Sequence, residues 1–231
     1  MTVKQIKKSF QRRESQVERF DRIYKTIRER ICLLEYPPGI LLNEALLANE
    51  FEVSRTPVRN VLQRLNYEGL LETRNGVGTI VSEVDIKTFK DIYELRMRLA
   101  ELIGELSPVS PSADTIEALR DLCRRVEALR EKPRDLTAYA RQCNELHALI
   151  IAQIGNDSLR EMTDLLYYRV ARTWLIYLDN LDWRGEMQIL SRECSEIMLA
   201  MEIDDMRGVG HARRQFLYMT LARISRYMVD S

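Results

Sequence analysis

Arg55, Arg59 and Gln63 recur every four residues, so they fall on one face of any helix that carries them. On the opposite face Val58, Val61, Leu62 and Leu65 repeat at the i, i+3, i+4, i+7 spacing of a buried stripe. A helix with one basic polar face and one apolar face suits the DNA major groove. Arginine donates two hydrogen bonds to guanine O6 and N7, and it also contacts phosphate. Ser54 and Thr56 open the stretch with Pro57 in its first turn, and the free N–H groups of a helix start favour phosphate. The same residues could form a merely solvated helix face, and only the neighbouring elements decide. A second pair, Cys143 and His147, is also four residues apart. Such a pair could act as nucleophile and base. No third orienting residue and no oxyanion loop accompanies it, so an enzyme is not expected.

The elements that would position the arginines are legible. Val17, Phe20, Ile23, Tyr24, Ile27, Ile31 and Leu34 recur at steps of three and four and predict a helix, which Pro37-Pro38-Gly39 stops. Asn43 caps a second helix to about Phe51. Ser54 caps the third, which runs to about Glu68 before Gly69 ends it. Leu70 to Arg74 and Thr79 to Ser82 are short and β-prone, and Asn75-Gly76-Val77-Gly78 between them is a hairpin turn. Gly76 and Gly78 allow a tight turn that can approach a DNA backbone. Three helices followed by a hairpin form a winged helix-turn-helix, which favours DNA reading over a solvated face.

From Val84 onward the pattern is helical throughout. Six amphipathic helices are expected at about 86–106, 112–131, 135–154, 158–180, 184–203 and 205–229. The fold class is therefore mainly α, with a winged helix-turn-helix and its N-terminal extension over 1–83 and an all-α six-helix bundle over 84–231. Residues 1–83 hold 14 Lys and Arg against 11 Asp and Glu, a net of +3; with totals of 35 and 35 the remainder carries −3. A basic end on a neutral chain fits one nucleic-acid-binding domain of two. No run of apolar residues is long enough for a membrane span, and no apolar signal core follows Met1 to Lys8. Cys32, Cys123, Cys143 and Cys194 show no C-x-x-C spacing. Reduced thiols in a cytoplasm are the expectation.

Residues 36–81 resemble the DNA-binding domain of the GntR family of regulators. The resemblance rests on Pro38-Gly39, Leu42-Asn43-Glu44, Leu47-Ala48, Val53-Ser54-Arg55-Thr56-Pro57-Val58-Arg59, Glu68-Gly69-Leu70 and the wing from Gly76 to Val81. It implies that Arg55 and Arg59 contact operator DNA and that a homodimer reads a short inverted repeat. An arginine often found at the start of the family's second helix is replaced here by Asn43 and Glu44, so that contact is not carried over. The second half is similar to the FCD ligand-binding domain of the FadR subfamily, in its VanR-like six-helix branch. Tyr93-Glu94-Leu95-Arg96, Leu146-His147 with Gly155-Asn156, and the Glu193 to Asp205 stretch carry that likeness.

Many members bind a divalent metal there through one Asp and three His, and the metal holds a carboxylate effector. The matching positions here are Cys143, His147, Cys194 and Phe216, and phenylalanine cannot coordinate. Three readings stay open: a zinc site of Cys143, His147 and Cys194, since thiolates favour zinc; a Cys143–Cys194 disulfide that shifts the dimer; and inert buried thiols. A metal-free cavity could still hold a carboxylate through Arg96, which matches the family's cavity-facing arginine; the acidic residue expected four positions later is Ala100. Arg172 and Arg192 are further candidate cations. Tyr167, Tyr168, Trp174 and Tyr177 would line a pocket or fill the core. The implied function is a transcriptional regulator, a repressor on family grounds, whose operator binding responds to a small carboxylate. The alternative is a helical half that only dimerises or senses thiols or metal.

Overall fold

The structure, a computed structural model, describes residues 14–178 and 181–229. It divides into two compact units: residues 14–30 with 39–82, and residues 31–38 with 83–229. The break after Ser82 lies where the helical pattern begins. The short segment 31–38, expected with the first part, groups with the second.

Helix α1 spans Gln16–Cys32, its last two residues grouping with the second unit. It stops earlier than its apolar repeat suggests, because Leu34 adopts a left-handed φ of 60° and leaves the helix. Helix α2, Glu44–Glu50, starts at Asn43, whose side chain accepts from the Ala45 and Leu46 N–H groups at 2.8 and 3.2 Å. Helix α3, Arg55–Tyr67, ends at Glu68 with Gly69 left-handed at φ 78°. Strands β1, Leu71–Arg74, and β2, Gly78–Val81, pair antiparallel with Leu71 opposite Val81 and Arg74 opposite Gly78. Leu41 bridges Ile80 and adds a third backbone segment to this wing.

The second unit is a bundle of α4 (Ile86–Glu101), α5 (Ala113–Arg130), α6 (Leu136–Ile151), α7 (Asp157–Leu178), α8 (Trp183–Glu202) and α9 (Met206–Val229). The expected span of α4 to residue 106 is shortened: Leu102–Gly104 tightens into a 3-10 turn. The cause is close packing of this end on α9. A Cβ at Gly210 would meet the Ala100 carbonyl oxygen at 2.5 Å, so only glycine lets the two backbones approach. Residues 179 and 180, the expected end of α7, lie outside the described residues. Side-chain caps from Asp85, Ser112, Asp135 and Asp182 start α4, α5, α6 and α8. The core is one apolar cluster running through Phe89, Ile103, Leu122, Tyr139, Leu146, Leu190 and Val209. Among the described residues no helix is long and apolar enough to cross a membrane.

Candidate functional site

Burial of Val58, Val61, Leu62 and Leu65 fixes the phase of α3. Arg55, Thr56, Arg59 and Gln63 are thereby exposed, with Ser54 exposed at the N-cap. Ser54 holds the cap position in extended conformation, but its side chain makes no capping hydrogen bond. That corrects the expected cap, which is backbone-only here. Gly76 and Gly78 turn the wing at φ 75° and 123°, and a Cβ on Gly78 would press Leu41 at 3.0 Å. Glu44, which stands where the family often has an arginine, pairs with Arg59. Arg59 Nη2 donates to Glu44 Oε2 at 2.8 Å, and Nε donates to both carboxylate oxygens at 3.1 and 3.2 Å. This hydrogen-bonded pairing holds the Glu44 carboxyl below its usual range. It occupies one edge of the Arg59 guanidinium, and among the described residues Nη1 has no hydrogen-bond partner.

In the helical unit a cavity of about 40 Å³ lies among α4, α6, α7, α8 and α9. Arg96 from α4 lines it, with the guanidinium 4.9 Å from the Tyr93 ring and 5.3 Å from the Tyr167 ring. Only 6% of Arg96 is exposed, and among the described residues no carboxylate forms a direct ion pair with it. Burial pulls its guanidinium below the usual range. Arg213 from α9 also lines the cavity and donates from Nη1 to Glu193 Oε1 on α8 at 2.6 Å. Both side chains are almost fully buried. The second oxygen, Glu193 Oε2, has no hydrogen-bond partner, and neither has Trp174 Nε1. Tyr167, Trp174 and Phe216 form aromatic walls.

The four expected effector residues are not brought together. Cys143 lines the cavity beside Arg96. His147 does not. Its ring stacks on Tyr167 at 3.8 Å, and its Nε2 lies 3.1 Å from Asp164 Oδ1. A carboxylate can only accept, so Nε2 carries the proton. Cys194 is adjacent to Glu193 and therefore turned about 100° around α8; its thiol lies beside that of Cys123. Burial raises the Cys143 thiol well above its usual range. Among the described residues no three His, Cys, Asp or Glu side chains group as metal ligands. The donor set does not fit the metal that the resemblance implies, and the Cys143–Cys194 pairing is not formed. Arg172 is buried outside the cavity lining and Arg192 pairs with Glu196 at 2.7 Å on the surface. Arg213 is the further cation at the cavity, the place these two were expected to fill. One signal pointed to Arg213: it precedes Phe216 by three residues, and so shares its helix face.

Burial also pushes His147 down to about 3, against the pull of Asp164. Unfolded, the imidazole protonates near 6.5. Between these values the unfolded chain binds a proton that the folded chain refuses. Stability is therefore lost as pH falls from about 6.5 towards 3, by up to about 1.4 kcal/mol per pH unit. We expect urea midpoints of the wild type to drop more steeply from pH 6.5 to 4.5 than those of His147→Gln. Parallel slopes would show that the buried imidazole contributes nothing.

Residues 20–81 match the model of the bacterial regulatory proteins of the gntR family, and residues 91–218 match the FCD domain. The HTH-type transcriptional regulator Rv0494 of Mycobacterium tuberculosis is 32% identical over 153 residues, which is 65% of this chain and 59% of that protein. YdhC of Bacillus subtilis, another HTH-type regulator, is 25% identical over 149 residues, 63% of this chain and 66% of that one. The chain thus spans less than two thirds of the length of these curated relatives. Among solved structures, E. coli McbR/YncC superposes with a TM-score of 0.74 at 18% identity, covering 91% of this chain and 98% of that one. A GntR regulator from Rhodococcus sp. RHA1 gives 0.69 at 18% identity, covering 89% and 97%. At such identity the likeness shows the fold. The relatives are transcriptional regulators, not enzymes, and this chain belongs to the GntR family of bacterial regulatory proteins, with an FCD domain behind its winged helix-turn-helix.

Proposed function

We propose that the chain is a homodimeric repressor whose affinity for an inverted-repeat operator changes when a small carboxylate enters the cavity of the helical unit. Arg55, Arg59 and Gln63 would read base edges, while Ser54, Thr56 and the α3 N-terminus meet phosphate and the wing at Gly76 and Gly78 follows the backbone. The observation that carries the effector reading is Arg96. A buried guanidinium without a carboxylate partner, in an aromatic-walled cavity, is incompletely compensated. An incoming carboxylate supplies the missing charge and two acceptors. Cys32, at the end of α1, also lines the cavity. A ligand that displaces it acts on a helix whose earlier turns belong to the DNA-reading unit.

The test uses a duplex selected from a randomised DNA pool and fluorescence anisotropy. Short monocarboxylates are expected to shift operator affinity by about 5- to 150-fold. Arg96→Ala should bind the same duplex yet ignore the carboxylates. An operator affinity untouched by every carboxylate would refute the sensor reading and leave the helical unit as a dimerisation module.

A further inference from the structure

We propose that Cys123 and Cys194 are a peroxide-sensitive thiol pair that closes reversibly into an intramolecular disulfide and so ties α5 to α8. Neither residue lines the cavity, and the pair needs no ligand there.

The packing of the two helices brings the thiols together. Arg120 Nη2 on α5 donates to Glu202 Oε1 on α8 at 2.8 Å, and Ser191 Oγ on α8 donates to Glu127 Oε2 on α5 at 2.8 Å. Residue number rises along one helix as it falls along the other, so the two run antiparallel. Cys123 and Cys194 both lie between these two ties. They sit on the inward sides, with Leu122 and Val126 of α5 and Leu190 and Ile197 of α8 buried around them. Cys194 is fully buried, and Cys123 is partly buried against the same apolar cluster. Their thiols lie side by side. Sulfurs that already touch across a helix seam have only to close to about 2 Å.

The two sulfurs are not equivalent. Cys123 is the partly exposed one. Its contact with Cys194 holds its thiol below the usual range, against burial and the Glu202 charge. The same contact, together with burial, raises Cys194. A partly exposed thiol with added thiolate character, backed by a buried thiol, suits an attacking cysteine and its resolving partner. The other two cysteines are placed differently. Cys32 is buried and its thiol donates to the Tyr168 carbonyl at 3.9 Å, and burial raises Cys143.

The oxidant is hydrogen peroxide. The Cys123 thiolate attacks one peroxide oxygen. The O–O bond breaks, an S–O bond forms, and the departing hydroxide takes up the proton that Cys123 gave up. The Cys194 sulfur then attacks the Cys123 sulfenic acid. The S–O bond breaks, the S–S bond forms, and the hydroxyl leaves with the Cys194 proton as a second water. Two thiols have lost two electrons, and one peroxide has become two waters. A dithiol reductant reverses the link by thiol–disulfide exchange.

The test treats the reduced, desalted full chain with a small excess of hydrogen peroxide and counts thiols after unfolding. The four thiols should fall to two, and dithiothreitol should restore them. Trypsin should release residues 121–124 linked to residues 193–207. The link closes a long loop, so the oxidised chain should melt several degrees higher than the reduced one. Cys143→Ser should lose two thiols all the same. Cys194→Ser should instead leave a Cys123 sulfenic acid that dimedone captures; if that variant folds poorly, the wild-type peptide map decides alone. Four thiols surviving in the wild type would overturn the proposal and make these cysteines inert packing. A link that contains Cys143, or one that joins two chains, would overturn the pairing. None of these outcomes depends on whether the cavity takes a carboxylate.

Discussion

Replacing Arg59 with alanine is expected to lower operator affinity by about 5- to 150-fold per half-site, the value of one bidentate base contact, with the fold unharmed. Arg59 and Glu44 have side chains 59% and 30% exposed, so their pairing contributes at most about 1 kcal/mol to stability. The loss therefore reports on DNA and not on folding. Glu44→Ala separates two roles that Arg59 could play. Glu44 puts a negative charge beside Arg59 on the face proposed to meet DNA, so its removal should strengthen binding to arbitrary DNA. It also fixes the guanidinium plane, so its removal should weaken discrimination between operator and arbitrary DNA. Anisotropy titrations at two salt concentrations with both duplexes measure each effect. Unchanged operator binding by Arg59→Ala would remove this arginine from the interface. Glu44→Ala with unchanged discrimination would reduce the Glu44 contact to a surface ion pair.

What the sequence carried, and what it did not, divides along physical lines. The DNA-reading helix was legible because a short-range pattern specifies it: an apolar stripe fixes the phase of α3 and leaves Arg55, Arg59 and Gln63 outside. The six bundle helices were legible for the same reason, with ends displaced where packing intervened, as at Gly104 and Leu34. The effector cavity is different. It is assembled by helices far apart in sequence, and which side of a helix faces it depends on a rotation of one residue. Choosing Cys194 over Glu193 as the inward residue mistakes that rotation, and the error carries a thiol in place of a carboxylate. Arg213 was hidden by the same distance. Its partner lies 20 residues away on another helix, and no local spacing links them. Glu44 was read as the absence of a family arginine, when its contact with Arg59 depends on how α2 and α3 cross.

Glu193→Ala is expected to be the most damaging substitution to the fold. Glu193 and Arg213 have side chains 2% and 7% exposed, and they meet at 2.6 Å inside the bundle. Deleting the carboxylate strands the Arg213 charge, adds to the charge already carried by Arg96, and leaves a void. Breaking a buried pair in this way costs about 3–5 kcal/mol, which for a unit of this size lowers the melting temperature by roughly 6–20 °C. The exposed Arg120–Glu202 pair makes a control: its side chains are 45% and 33% exposed, and Glu202→Ala should cost less than about 1 kcal/mol. The pair itself need not be worth what its disruption costs. Desolvating two charges offsets most of their attraction, so Glu193→Leu combined with Arg213→Met should recover most of the loss. The double variant would then fold and melt like the parent. If Glu193→Ala melted within a degree or two of the wild type, the pair would be solvated in solution, and the cavity would not be the dry site that its burial describes.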